Sequence, residues 1–91
     1  MTWVVVEQKS VIKELNKLPG HIQASYSYWR NLVIFDGINK LREIKSFHFE
    51  KLKGRRNKQF SCRLSKSYRV IFEVVVKEVK VIVLEVNKHE Y

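Results

Sequence analysis

The hydrophobic pattern changes period along the chain and divides it into elements. Trp3-Val4-Val5-Val6-Glu7 is a β-branched run and predicts a strand over residues 3–7. Val11, Ile12, Leu15 and Leu18 then recur at helical spacing, with Ser10 as the expected N-cap and Pro19-Gly20 as the stop. Ile22, Tyr26, Trp29, Leu32 and Val33 form one stripe of a second helix from His21 to about Phe35, with Gly37 just past its end. The Pro-Gly turn makes the two helices an antiparallel hairpin, and the Tyr26/Trp29 stripe reads as core. Residues 38–58 lose the periodicity, apart from a helical turn near Asn39–Ile44. Alternation returns in Gln59–Leu64, Tyr68–Val75 and Val79–Val86, three strands with short polar connections, hence a meander.

The order strand, helix, helix, basic loop, three strands predicts an α+β fold. Two N-terminal helices pack on a mostly antiparallel four-stranded sheet, and residues 1–91 form a single domain. Strand parity then assigns faces. Phe60, Cys62 and Leu64, then Tyr68, Val70, Phe72 and Val74, then Ile82, Leu84 and Val86 are expected to face the helices. A three-residue turn pairs Leu64 with Tyr68, Cys62 with Val70 and Phe60 with Phe72. It also sets Arg63 opposite Arg69 on the other face. Like charges directly opposed are destabilising, so the pair asks for a bound anion or a compensating acid. Pairing Val75 with Val79 in the next hairpin sets Glu85 opposite Arg69, and an Arg63–Arg69–Glu85 cluster is the structural alternative. Asn87, His89 and Tyr91 continue along the same open face, and the basic loop could fold over it.

Charge sharpens this picture. The chain of 91 residues has a net charge of +9. Between Ile38 and Arg69, eleven basic residues stand against two acids, Glu43 and Glu50, so this segment carries the whole excess. A field that localised points to a polyanionic partner. Thirteen valines and eleven aromatic residues exclude a disordered chain. No apolar run approaches the roughly 18–20 residues that span a bilayer, and the first residues lack the pattern of a signal peptide. A cytoplasmic protein with no membrane association is expected. One cysteine, Cys62, excludes an internal disulfide and a cysteine-based zinc site.

Catalytic alternatives are few. There is no P-loop, nucleophile elbow or dinucleotide fingerprint. His21, His48 and His89 have no metal-ligand spacing, so no metal or cofactor is expected. Cys62 faces the predicted core. One acid in a basic loop, several arginines and a terminal His89-Glu90-Tyr91 remain. This set suits metal-free cleavage of RNA, in which the 2′-OH is the nucleophile. A base takes its proton, cations stabilise the pentacovalent phosphate, and an acid protonates the leaving 5′-oxygen.

Phe49-Glu50-Lys51-Leu52-Lys53-Gly54, Ser61-Cys62-Arg63-Leu64, Tyr68-Arg69-Val70-Ile71-Phe72 and Glu85-Val86-Asn87-Lys88-His89-Glu90-Tyr91 stand in an order that resembles the RelE/ParE superfamily of bacterial toxins. The nearest branch is the RelE/YoeB/HigB-type ribonucleases. The likeness covers nearly the whole chain, including Lys13-Glu14-Leu15-Asn16-Lys17-Leu18-Pro19. It implies a RelE-like fold and a ribosome-dependent mRNA endoribonuclease, the toxin of a type II toxin–antitoxin system. It also implies a monomeric fold within a complex with a cognate antitoxin, and the ribosome and mRNA as targets. Glu50 then matches the general base, Arg69 the ligand of the scissile phosphate and Arg63 the arginine of the preceding strand. His89 or Glu90 takes the acid position, with strand phase favouring His89, and Tyr91 orients RNA. Lys51 and Lys53 match phosphate clamps, and Arg55, Arg56 and Lys58 extend the surface for RNA or ribosome. Two other readings remain: a ParE-like gyrase-directed toxin, and a non-catalytic nucleic-acid-binding module.

Overall fold

The computed structural model describes residues 2–88. Strand β1 (Val4–Glu7) leads into helix α1 (Lys9–Lys17), helix α2 (Gly20–Asp36) and a short helix α3 (Ile38–Glu43). Strands β2 (Glu50–Lys51), β3 (Gln59–Arg63), β4 (Tyr68–Val75) and β5 (Lys80–Lys88) follow. The sheet has five strands, not the expected four, in the order β1-β5-β4-β3-β2. Only β1 runs parallel to its neighbour, β5, and the other pairs are antiparallel. The additional strand lies in the stretch that has no periodicity in the sequence. Two residues are too few to show alternation, and β2 is held by its pairing with β3.

α1 and α2 cover one face of the sheet. Val11 of α1 and Ile22, Tyr26, Trp29 and Val33 of α2 join Cys62, Val70, Phe72, Val81, Val83 and Val86 in one core. The rings of Trp29 and Phe72 lie 5.2 Å apart at its centre. The two expected helices and the Tyr26/Trp29 core stripe are present. The expected Ser10 cap is not: α1 begins after Gln8, and no side chain caps it. Among the described residues no helix is long and apolar enough to cross a membrane.

Three hydrogen bonds from side chains of α2 tie the N-terminal strand to it. The Tyr26 hydroxyl and Arg30 Nε both donate to Glu7 Oε2, at 2.6 and 2.7 Å, and Arg30 Nη2 donates to the Val5 carbonyl at 3.2 Å. Burial pushes the Glu7 carboxyl up, but the bonds from Arg30 and Tyr26 outweigh it and hold the group below its ordinary value. A carboxylate whose pKa is depressed on folding adds stability above its unfolded pKa and loses it as pH falls through the folded one. Glu7→Gln should therefore lower stability at pH 7 by about 1–3 kcal/mol, the usual loss for hydrogen bonds to a charged group. The gap to the native chain should close as pH falls below the ordinary carboxylate range, which urea titrations at several pH values would measure.

Gly37 closes α2 with φ +82°. A Cβ there would lie 2.9 Å from Nε1 of Trp3, whose own backbone N–H donates to the Ile34 carbonyl at 3.0 Å. Left-handed strain and the clash act together. Gly37→Ala should cost about 1–3 kcal/mol, a fall in Tm of several degrees for a domain of this size, measured by thermal unfolding.

Candidate active site

The first hairpin has the expected register. Phe60 faces Phe72, Cys62 faces Val70, and Arg63 faces Arg69. Cys62 is fully buried, and desolvation pushes its thiol up to about 12, with neighbouring Trp29 pulling the other way. It is a core residue and not a nucleophile.

The second hairpin departs from expectation twice. Val75 pairs with Lys80, not Val79, because Val76–Glu78 form a 3-10 turn and Val79 takes a left-handed conformation at φ 51°. A bulge follows: Phe72 faces Val83 and Ile71 faces Glu85, which leaves Leu84 unopposed. Val81 and Val83, not Ile82 and Leu84, therefore fill the core, whereas Val86 points inward as expected. The two departures together move Glu85 from Arg69 to Ile71 and put Asn87 opposite Arg69. The proposed Arg63–Arg69–Glu85 cluster is thus replaced. Glu85 pairs with Arg56 instead, and Arg56 Nε also donates to Gln59 at 2.8 Å.

That ion pair shows how the basic loop lies. Gln59 is on β3 and Glu85 on β5, so the Arg56 side chain crosses β4 on the face away from the helices. Ile71 is fully buried on that face, outside the helix-side core. The loop does fold over the open surface, and Gly54, at φ +70°, turns it there. Lys51, Lys53, Arg55 and Lys58 are exposed, and none of them forms an ion pair among the described residues.

Cross-strand rows define the site itself. Glu50, Ser61, Ile71 and Glu85 form one row across β2 to β5. Arg63, Arg69 and Asn87 form the adjacent row on the same face. With strands about 4.8 Å apart and residues two apart along a strand separated by about 7 Å, the Cα atoms of Glu50 and Arg69 are about 12 Å apart. Two long side chains across that distance can meet on one phosphate. Arg69 makes no hydrogen bond or ion pair among the described residues, and its Nε is buried without a partner. Glu50 is exposed and unpaired among the same residues. Asn87 donates through Nδ2 to Glu85 Oε1 at 3.1 Å. His48, two residues before Glu50, is held in a left-handed conformation at φ 44°. His89, Glu90 and Tyr91 lie outside the described residues.

Sequence reasoning brought Glu50, Arg63 and Arg69 to one face. It gave no part to Ser61, buried between Glu50 and Ile71, or to the Arg56–Glu85–Asn87 chain. The parity of Asn87 was the one available signal for that chain.

The chain is a small α+β domain whose helices close one sheet face and whose other face carries a basic loop, a carboxylate and an arginine with no partner among the described residues. The comparisons narrow the class. The family model for the RelE-like toxin of the type II toxin–antitoxin system HigB matches residues 13–89, and the chain belongs to that family. Its fold is similar to that of RelE in the RelE–RelB complex from Pyrococcus horikoshii, with a TM-score of 0.75, 26% identity, and coverage of 97% of this chain and 96% of the other. It is also similar to the YoeB/ParE toxin from Agrobacterium tumefaciens, with a TM-score of 0.74, 13% identity, and coverage of 96% and 99%. The isolated E. coli RelE toxin gives a TM-score of 0.70, 22% identity, and coverage of 98% and 86%. No curated protein matches the sequence.

Proposed function

We propose that this toxin is a ribosome-dependent, metal-independent mRNA endoribonuclease, and that a cognate antitoxin holds it inactive. The observation that carries the reading is Arg69: a cation in the middle of the sheet, on the open face, with no anionic partner among the described residues and with Arg63 directly opposite. Like charges directly opposed are destabilising, and an anion bound at Arg69 relieves that repulsion. Glu50 takes the proton of the 2′-OH, and the 2′-oxygen attacks phosphorus. Arg69 and Arg63 hold the equatorial oxygens as charge builds there. The bond from phosphorus to the 5′-oxygen breaks, and His89 or Glu90 protonates the leaving oxygen. The products are a 2′,3′-cyclic phosphate and a 5′-hydroxyl, so the protein supplies neither metal nor nucleophile. Lys51, Lys53, Arg55 and Lys58 bind the surrounding phosphates, whereas Arg56 serves chiefly to fasten the loop to Glu85. The antitoxin follows from family membership and from the RelE–RelB pairing of the Pyrococcus horikoshii protein.

The test is induction in bacteria with mapping of new mRNA 5′-ends, with and without a translation inhibitor. New ends inside coding regions that vanish when translation stops are expected. Growth arrest with intact mRNA would overturn the nuclease reading and favour a protein target. On isolated ribosomes, replacing Lys53, Arg55 and Lys58 together by alanine should flatten the salt dependence of binding by about one unit of log slope per lost contact.

A further inference from the structure

Arg69 and Asn87 are directly opposed on β4 and β5. Each carries a buried polar atom with no partner among the described residues: Nε of Arg69, a donor, and Oδ1 of Asn87, an acceptor. Burying such a group unpaired is costly, and here two groups of complementary polarity share one register position. Their setting is built. Glu85 Oε1 accepts from Asn87 Nδ2 at 3.1 Å, which fixes the amide nitrogen and leaves the oxygen as the free end. Glu85 Oε2 accepts from Arg56, so the negative charge of Glu85 is spent on that guanidinium. A neutral amide therefore stands between the Arg56–Glu85 pair and Arg69.

We propose that Asn87 is the positioning residue for Arg69. Its Oδ1 and the Arg69 Nε are not bonded to each other in this structure; once the two terminal amino groups of the guanidinium hold the scissile phosphate, Oδ1 accepts the Nε–H of Arg69. An amide suits this role and a carboxylate does not. Both accept a hydrogen bond, but a carboxylate would cancel the charge that the phosphate needs. Glu85 acts one step further back by setting the amide's orientation, and Arg56 neutralises it. The inference rests on the proposed cleavage of RNA and gives that site a part that neither sequence motif nor charge had assigned.

The experiment follows the Arg69 Nε–H by 15N-resolved NMR, with the signal identified by its loss in Arg69→Lys and inorganic phosphate as the probe. In the native chain with phosphate this proton should exchange slowly. Asn87→Ala should speed its exchange severalfold, while Asn87→Asp, which keeps an acceptor, should leave it slow and weaken phosphate binding. On programmed ribosomes, Asn87→Ala should lower the single-turnover cleavage rate by about 10–100-fold, as for a misplaced catalytic group, with ribosome affinity unchanged. Asn87→Asp should not restore the rate, because the arginine is neutralised. Equal exchange of the Nε–H in the native chain and Asn87→Ala would overturn the proposal, whatever the cleavage result. Slow exchange lost in Asn87→Ala, together with no cleavage by the native chain, would leave the positioning role standing and overturn the nuclease reading.

Discussion

Arg69→Ala should abolish growth arrest and lower single-turnover cleavage on programmed ribosomes by about 10²–10³-fold, the usual loss when a group that stabilises transition-state charge is removed. The same variant should be at least as stable as the native chain. Arg69 has no ion pair to lose among the described residues, its Nε is buried without a partner, and Arg63 opposes it directly. Removing one member of a like-charge pair relieves repulsion. Activity and stability should thus move in opposite directions, the mark of a residue kept for function at a cost to the fold. Thermal unfolding beside the cleavage assay reads both. A variant that cleaves normally, or that unfolds readily, would show that Arg69 serves the sheet and not the phosphate.

Glu50→Gln is expected to slow cleavage by about 10²–10⁴-fold, the range for losing a general base. Ribosome binding should be retained or become slightly tighter, since one negative charge leaves a basic surface. The substitution keeps the side chain's shape on an exposed two-residue edge strand, so stability should not change. Rate and affinity measured on the same preparation separate an enzyme from a binding module. If binding and cleavage fall in parallel, Glu50 is not the base.

The sequence was most legible where one strand face is polar. In β3, Gln59, Ser61 and Arg63 alternate with Phe60 and Cys62, so faces and register could be read, and the opposition of Arg63 to Arg69 with them. β5 offers no such contrast. Val81, Ile82, Val83 and Leu84 are all apolar because the strand lies between β1 and β4, and a uniform run carries no phase. Neither the longer turn at Val76–Glu78 nor the bulge leaves a mark in that run, so Glu85 was given the wrong partner. The Glu7–Tyr26–Arg30 clamp was illegible for another reason. Its members are 19 and 23 residues apart, and only the packing of α2 against β1 brings them together. The basic loop showed its charge but not its fastening, because Arg56 and Glu85 meet across 29 positions of sequence.

The unopposed Leu84 also determines where this chain can change length. Val83 points inward, Glu85 outward and Val86 inward, so removing Leu84 would restore plain alternation without turning any neighbour over. Losing Val86 instead would turn a polar side chain, Asn87 or Glu85, into the core. A single-residue deletion at Leu84 thus leaves Glu85 and Asn87 on the open face. Related chains should differ in length there sooner than on either side of it, and in them the strand should run straighter, without the added local twist that a bulge imposes.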